Sequence, residues 1–339
     1  MALASAHRDA ALALAARRDR ERRALRPRSF ITLDDIDARA LARVVDHALA
    51  MKRGLADDAG ALAGRAVALL FQKASTRTRC SFEAAAREMG ARADYLDWSR
   101  SNFVLAELRD EIAVMSRYCD LVVARVDRHE SLRTMAAHSE VPVVNGLCDQ
   151  HHPCQAVADV LTLQEYFGTD LRGLRLAYLG DGNNVCRSLV QAATRLGVEM
   201  TLSSPAGYAL DDVTVGQAGP LVRRVADPRA AVEDADVVYT DTWVSMGQEA
   251  QLEQRRAAFA GWQVDARLMA SAPAHALFMH CLPAHPGLEV TADVLRSARS
   301  IVLDQAENRK HAQKALLAWL LRADARGQAR VDAGAALAA

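Results

Sequence analysis

Lys73-Ala74-Ser75-Thr76-Arg77-Thr78-Arg79 gathers three hydroxyls and three cations into seven residues. The segment directly follows an apolar run and directly precedes a helical periodicity. Free N–H groups and the dipole at a helix start attract anions, so this segment reads as a phosphate cradle. Alone, it also fits an exposed basic loop with Ser75 as a plain N-cap. Capping explains one serine but not the alternation of hydroxyls with guanidiniums. No GxxxxGK[ST] is present, so it is not a nucleotide P-loop. His152 and Gln155, in His152-Pro153-Cys154-Gln155, lie three apart and share a helix face. An imidazole and an amide there can donate to and accept from one small polar ligand. Arg125 ends the apolar run Leu121–Ala124, which puts it at the carboxyl edge of a strand, where ligands collect in open α/β sheets.

The second half carries four more segments. Gly180-Asp181-Gly182-Asn183-Asn184-Val185 follows an apolar run, but a dinucleotide fingerprint would need glycine at 185. Asp241-Thr242-Trp243-Val244-Ser245-Met246-Gly247 by itself is a strand-end loop with a capping serine. In His280-Cys281-Leu282-Pro283 an isolated cysteine is normally a small buried hydrophobe. A thiol near cations can instead be polarised and help to accept or orient a proton. Arg309, in Asp304-Gln305-Ala306-Glu307-Asn308-Arg309, fits a helical surface pair equally well when read alone.

Together these motifs resemble the aspartate/ornithine carbamoyltransferase family over about residues 29–322. The matches are S-T-R-T-R at 75–79, H-P-x-Q at 152–155, D-G-N-N at 181–184, D-x-W-x-S-M-G at 241–247 and H-C-L-P at 280–283. The resemblance implies that Ser75, Thr76, Arg77, Thr78, Arg125, His152, Gln155, Cys281, Leu282 and Arg309 bind carbamoyl phosphate. Asn184, Asp241, Ser245 and Met246 would bind the acceptor, Asp241 taking an α-ammonium and Ser245 an α-carboxylate. Thr78, Arg125 and His152 would stabilise a tetrahedral oxyanion, with Cys281 aiding proton removal from the amine. Cys281 points to the ornithine branch, because the aspartate branch has proline there. Carbamoyl phosphate is already activated, so the resemblance implies no cofactor and no metal. It further implies citrulline as product, a role in arginine biosynthesis, and trimers or multiples of trimers. The segment 97–110 departs from the ornithine pattern, which keeps 2,3-diaminopropionate, 2,4-diaminobutyrate and putrescine as alternative acceptors. An NAD-binding protein is disfavoured by Val185, and a non-catalytic regulator by the intact Arg77, Arg125, His152, Gln155 and Cys281.

Positioning these groups requires strands alternating with amphipathic helices. Expected strands are Ala66–Phe71, Leu121–Ala124, Val141–Asn145, Leu174–Leu179, Met200–Ser203, Val237–Thr240, Ala276–His280 and Ile301–Leu303. Apolar residues at helical spacing recur in Phe82, Ala85, Ala86 and Met89, and in Val185, Leu189, Ala192 and Leu196. The pattern predicts an α/β fold of two doubly wound parallel-sheet domains joined by interdomain helices, of carbamoyltransferase type by resemblance. Residues 29–150 would bind carbamoyl phosphate and 151–306 the acceptor. A linking helix would open at Pro153 and stop at Gly168. A last helix, 307–322, would pack back on the first domain, with a loose tail at 323–339.

Residues 1–28 hold eight arginines but also Asp9, Asp19 and Glu21. They read as a solvated extension rather than a transit peptide. The 42 basic residues balance 42 acidic ones, so no global field points to nucleic acid or an anionic membrane. Apolar runs fall far short of the roughly 20 residues of a membrane span. Six scattered cysteines without CxxC spacing argue against zinc and disulfides and for a cytoplasmic setting.

Overall fold

The computed structural model describes residues 29–244 and 249–337. The expectations for residues 1–28, Ser245 and Met246 lie outside these. In the first half, β1 (Ala66–Phe71), β2 (Arg92–Asp97), β3 (Leu121–Arg125) and β4 (Val143–Leu147) form a parallel sheet in the order β2-β1-β3-β4. Helices α1 (Ala38–Lys52), α2 (Thr76–Glu88), α3 (Leu108–Met115) and α4 (His129–His138) cover it. Helix α5 (Pro153–Phe167) then leads to the second half. There β5 (Arg175–Leu179), β6 (Glu199–Ser203), β7 (Val222–Arg224), β8 (Val237–Thr240) and β9 (Leu277–His280) form a parallel sheet in the order β7-β6-β5-β8-β9. Its helices are α6 (Asn184–Arg195), α7 (Asp212–Ala218), α8 (Pro228–Val232), α9 (Leu252–Ala258), α10 (Ala266–Ser271) and α11 (Ala292–Leu295). Helix α12 (Val302–Leu337) returns to pack on α1, α2 and α5. The chain thus builds two parallel-sheet α/β domains.

Central strands are apolar on both faces, as parallel sheets covered by helices require: β3 is buried at every position. The periodic residues Phe82, Ala85, Ala86 and Met89 all face the core. Pro153 opens α5 and Gly168 caps its end at φ 92°, a value glycine adopts without strain.

Three expectations need correction. Ile301–Leu303 is not a strand. Ile301 donates once to Phe278 O, and Val302 then opens α12. The run that follows is rich in good helix formers, which outweigh three aliphatic residues. The same composition carries the backbone of α12 to Leu337, where a loose tail was expected. Strands β2 and β7 were missed because both are sheet edges with charged, exposed positions.

Both sheets reverse strand order around their first strand, between β1 and β3 and between β5 and β8. The loops leaving the carboxyl ends of these four strands carry 73–79, Arg125, 180–184 and 241–244. Such reversal points open crevices in doubly wound sheets, and here the two crevices face one another.

Candidate active site

A cleft of about 1110 Å³ lies between the domains. Ser75, Thr76, Arg77, Thr78, Arg125, His152, Gln155 and Arg309 line one side, and Asn183, Asn184, Asp241, Cys281 and Leu282 the other. Every expected site residue among the described residues therefore reaches one space.

Ser75 caps α2. Its Oγ accepts from Thr78 N–H at 3.4 Å and donates to Thr78 Oγ1 at 3.1 Å. Arg309, from α12, donates to Thr78 Oγ1 at 2.7 Å and to Gln155 Oε1 at 2.9 Å. Thr78 Oγ1 thus accepts twice, which leaves its own hydroxyl proton for another acceptor. Arg125 closes β3 where the register to β4 slips past Gly146. A bulge of this kind re-aims the side chain beside it.

Arg125 and Arg309 are buried, and each has an Nε without a partner. Among the described residues, no carboxylate pairs with Arg77, Arg125 or Arg309. Burial, then repulsion from Arg309 and Arg77, pulls the Arg125 guanidinium down to about 10. Burial and the same three arginines hold His152 well below the ordinary imidazole range. His152 Nδ1 is likewise buried without a partner, while its backbone N–H donates to Ser188 Oγ across the interdomain junction at 2.8 Å. Uncompensated guanidiniums around a neutral imidazole make a receptor for a small, multiply charged anion.

On the opposite wall, Asp241 accepts from Asn183 Nδ2 at 2.8 Å and from the Cys281 thiol at 3.0 Å. Asn183 Oδ1 caps α6 by accepting from the Val185 and Cys186 N–H groups. Gly182 is required by close approach, since a Cβ there would lie 2.1 Å from the Leu210 nitrogen. Asn184, the expected acceptor contact, donates to Cys148 O at 2.6 Å. Cys281 differs from expectation. Burial and the Asp241 carboxylate push its thiol well above the usual range, so it donates a hydrogen bond rather than being polarised by cations.

Several supporting residues have no signature in the sequence. Asp159 accepts from Gln155 at 2.8 Å, Gln305 at 2.7 Å and Tyr239 at 3.2 Å; burial pushes its carboxyl up to about 6. It fixes the Gln155 amide so that Oε1 faces Arg309. Arg255 donates to Asp181 at 2.7 Å and to Trp243 O at 2.8 Å, tying β5 and β8 loops together. Asp181 was visible within the 180–184 run, whereas no pattern singled out Arg255. The oxygen, nitrogen and sulfur donors of Asp241, His280 and Cys281 lie within 4.8 Å of one another, but the thiol proton is already committed to Asp241.

These features define a two-domain α/β protein with one shared cleft, one wall built for a phosphorylated anion and the other ending in a carboxylate. Residues 28–165 match the carbamoyl-P binding domain, and residues 172–320 the Asp/Orn binding domain, of aspartate/ornithine carbamoyltransferase. The chain belongs to the aspartate/ornithine carbamoyltransferase family. It is 45% identical over 301 residues to the ornithine carbamoyltransferase of Methanospirillum hungatei, covering 87% of this chain and 99% of that one. Among solved structures, ornithine carbamoyltransferase from Pyrococcus furiosus superposes with a TM-score of 0.80 at 42% identity, over 88% of this chain and 98% of that one. The Thermus thermophilus enzyme gives 0.81 at 38% identity, over 87% and 99%.

Proposed function

We propose that this chain is an ornithine carbamoyltransferase that moves the carbamoyl group of carbamoyl phosphate onto the ornithine side-chain amine, giving citrulline and phosphate. The observation that carries the reading is the convergence of Arg125, Arg309 and His152, buried and each with a side-chain nitrogen lacking a partner, opposite Asp241 and Cys281 in one cleft. Ser75, Thr76, Arg77, Arg125 and Arg309 hold the phosphate. The free hydroxyl proton of Thr78, with Arg125 and His152, meets the oxyanion formed when the amine attacks the carbamoyl carbon. Donors of this kind contribute about 3–4 kcal/mol each. Gln155, Cys281 and the Leu282 carbonyl surround the carbamoyl nitrogen. Asn184, Asp241, Ser245 and Met246 receive the amino acid. The phosphate then leaves with the bonding electrons of the cleaved C–O bond, and the amine loses a proton.

The test is phosphate release and ureido product from carbamoyl phosphate with ornithine, 2,4-diaminobutyrate, 2,3-diaminopropionate, lysine, putrescine and aspartate. Ornithine should give the highest kcat/KM; release with none of them would overturn the reading. A primary amine must shed its proton before it attacks, so kcat/KM for ornithine should climb about tenfold per pH unit below the amine pKa. Because Cys281 is held protonated, Cys281→Ala should lower the rate without moving the midpoint of that rise. A displaced midpoint would return the thiol to the role of titrating base.

Assembly as a trimer and residence in the cytoplasm belong to the same proposal. Exposed Val104 and Leu105 within the departing 97–110 segment, and Tyr118 beyond it, supply apolar area for a contact between copies. All six cysteines are free, which suits a reducing compartment. No described helix is long and apolar enough to cross a membrane.

A further inference from the structure

Behind the Cys281–Pro283 wall lies a buried pair that the reaction as described does not use. His280 ends β9 and Glu289 lies in the loop beyond, and both are fully buried. The Leu282 N–H donates to His280 Nδ1 at 2.8 Å. A ring nitrogen that accepts carries no proton, so the neutral imidazole holds its proton on Nε2. That nitrogen lies 3.4 Å from Glu289 Oε1 and has no hydrogen-bond partner among the described residues. Glu289 Oε1 also accepts from the His285 N–H, so this oxygen faces donors only. Leu282 is the one non-glycine residue with positive φ, at 58°, among the described residues. A side chain in that region costs about 1–2 kcal/mol and needs fixed partners to persist.

We propose that Glu289 and His280 are positioning residues for the carbamoyl side of the cleft. The Glu289 carboxylate selects the imidazole tautomer, and His280 Nδ1 then holds the Leu282 peptide in the turn that faces the donor. The other tautomer would set N–H against N–H and release Leu282. The proposal rests on reading this cleft as the carbamoyl-transfer site.

Three variants test it. His280→Leu removes the acceptor and should lower kcat/KM for carbamoyl phosphate about 100-fold, the scale seen when an orienting partner of a functional group is lost. His280→Asn can accept from the N–H two residues on, as asparagine does in Asx-turns, and should recover activity to within about tenfold of the unaltered protein. Protein labelled with ring-15N histidine should give one signal of the Nε2–H tautomer that is absent from His280→Asn. In Glu289→Gln, whose amide can donate as well as accept, that signal should divide between tautomers. An undivided signal in Glu289→Gln would overturn the role of Glu289. Equal losses in the Leu and Asn variants would overturn the role of Nδ1. Melting curves identify a variant that fails to fold; if His280→Leu does, a loss well beyond tenfold in a folded His280→Asn overturns the Nδ1 role. If the unaltered protein releases no phosphate with any amine, the functional reading fails, while the tautomer signals still decide the arrangement of the pair.

Discussion

Replacing Arg125 with methionine should raise the melting temperature of the unliganded protein while lowering kcat/KM for carbamoyl phosphate about a thousandfold. The two effects share one cause. Arg125 is buried at the end of β3, faces Arg309 and Arg77, and has no carboxylate partner. Its fall from 12.5 to about 10 corresponds to roughly 3 kcal/mol held against folding. The folded state binds this proton less tightly than the unfolded chain. The cost is therefore fully present below pH 10 and is relieved only as pH climbs from about 10 towards 12.5. At neutral pH the unliganded protein bears it entirely. Methionine keeps much of the volume and removes the charge, so the resting fold gains. A phosphate anion would otherwise supply the missing counter-charge, and the oxyanion would lose a donor worth about 3–4 kcal/mol. Calorimetry with and without inorganic phosphate reads both halves. Phosphate at about 100 times its Kd should stabilise the unaltered protein by about 2.7 kcal/mol and the variant far less. A variant that melts lower without ligand and keeps its turnover would refute the account.

The sequence made the central strands and the anion-binding groups legible because both rest on local chemistry. Apolar runs such as Leu121–Ala124 cannot be solvated, and Ser75–Arg79 keeps its hydroxyl–guanidinium alternation whatever surrounds it. Edges were harder. In β2, Arg92 and Asp94 give little apolar signal, and pairing with β1 alone makes the segment a strand. Long-range partners were invisible: Asp159 meets Gln305 across 146 positions, and Arg255 meets Asp181 across 74. Cys281 shows the same limit in chemistry. Its identity was legible, but the direction of its proton depended on Asp241, 40 residues away.

Asp241→Asn should raise the KM for ornithine about 100-fold or more and leave carbamoyl phosphate affinity within about threefold. The substitution is nearly isosteric, so the effect follows from oxygens and charge. Asp241 Oδ2 accepts from Asn183 and Oδ1 from Cys281, which takes both oxygens. An asparagine has one acceptor, and its Nδ2 would face either the Asn183 amide or the thiol, donor against donor. Asn183 cannot turn to compensate, because its own Oδ1 is held by two N–H groups at the start of α6. The variant therefore loses the negative charge that would pair with the α-ammonium and also the geometry around it. Leaving a buried cation of the substrate unpaired costs about 2–5 kcal/mol, which sets the size of the KM change. Binding of carbamoyl phosphate, measured separately by calorimetry, rests chiefly on the hydroxyls and guanidiniums of the other wall, with Cys281 and Leu282 meeting only its carbamoyl nitrogen, and should change little. Equal weakening of both substrates would mean that Asp241 only supports the fold, and an unchanged ornithine KM would remove it from the acceptor site.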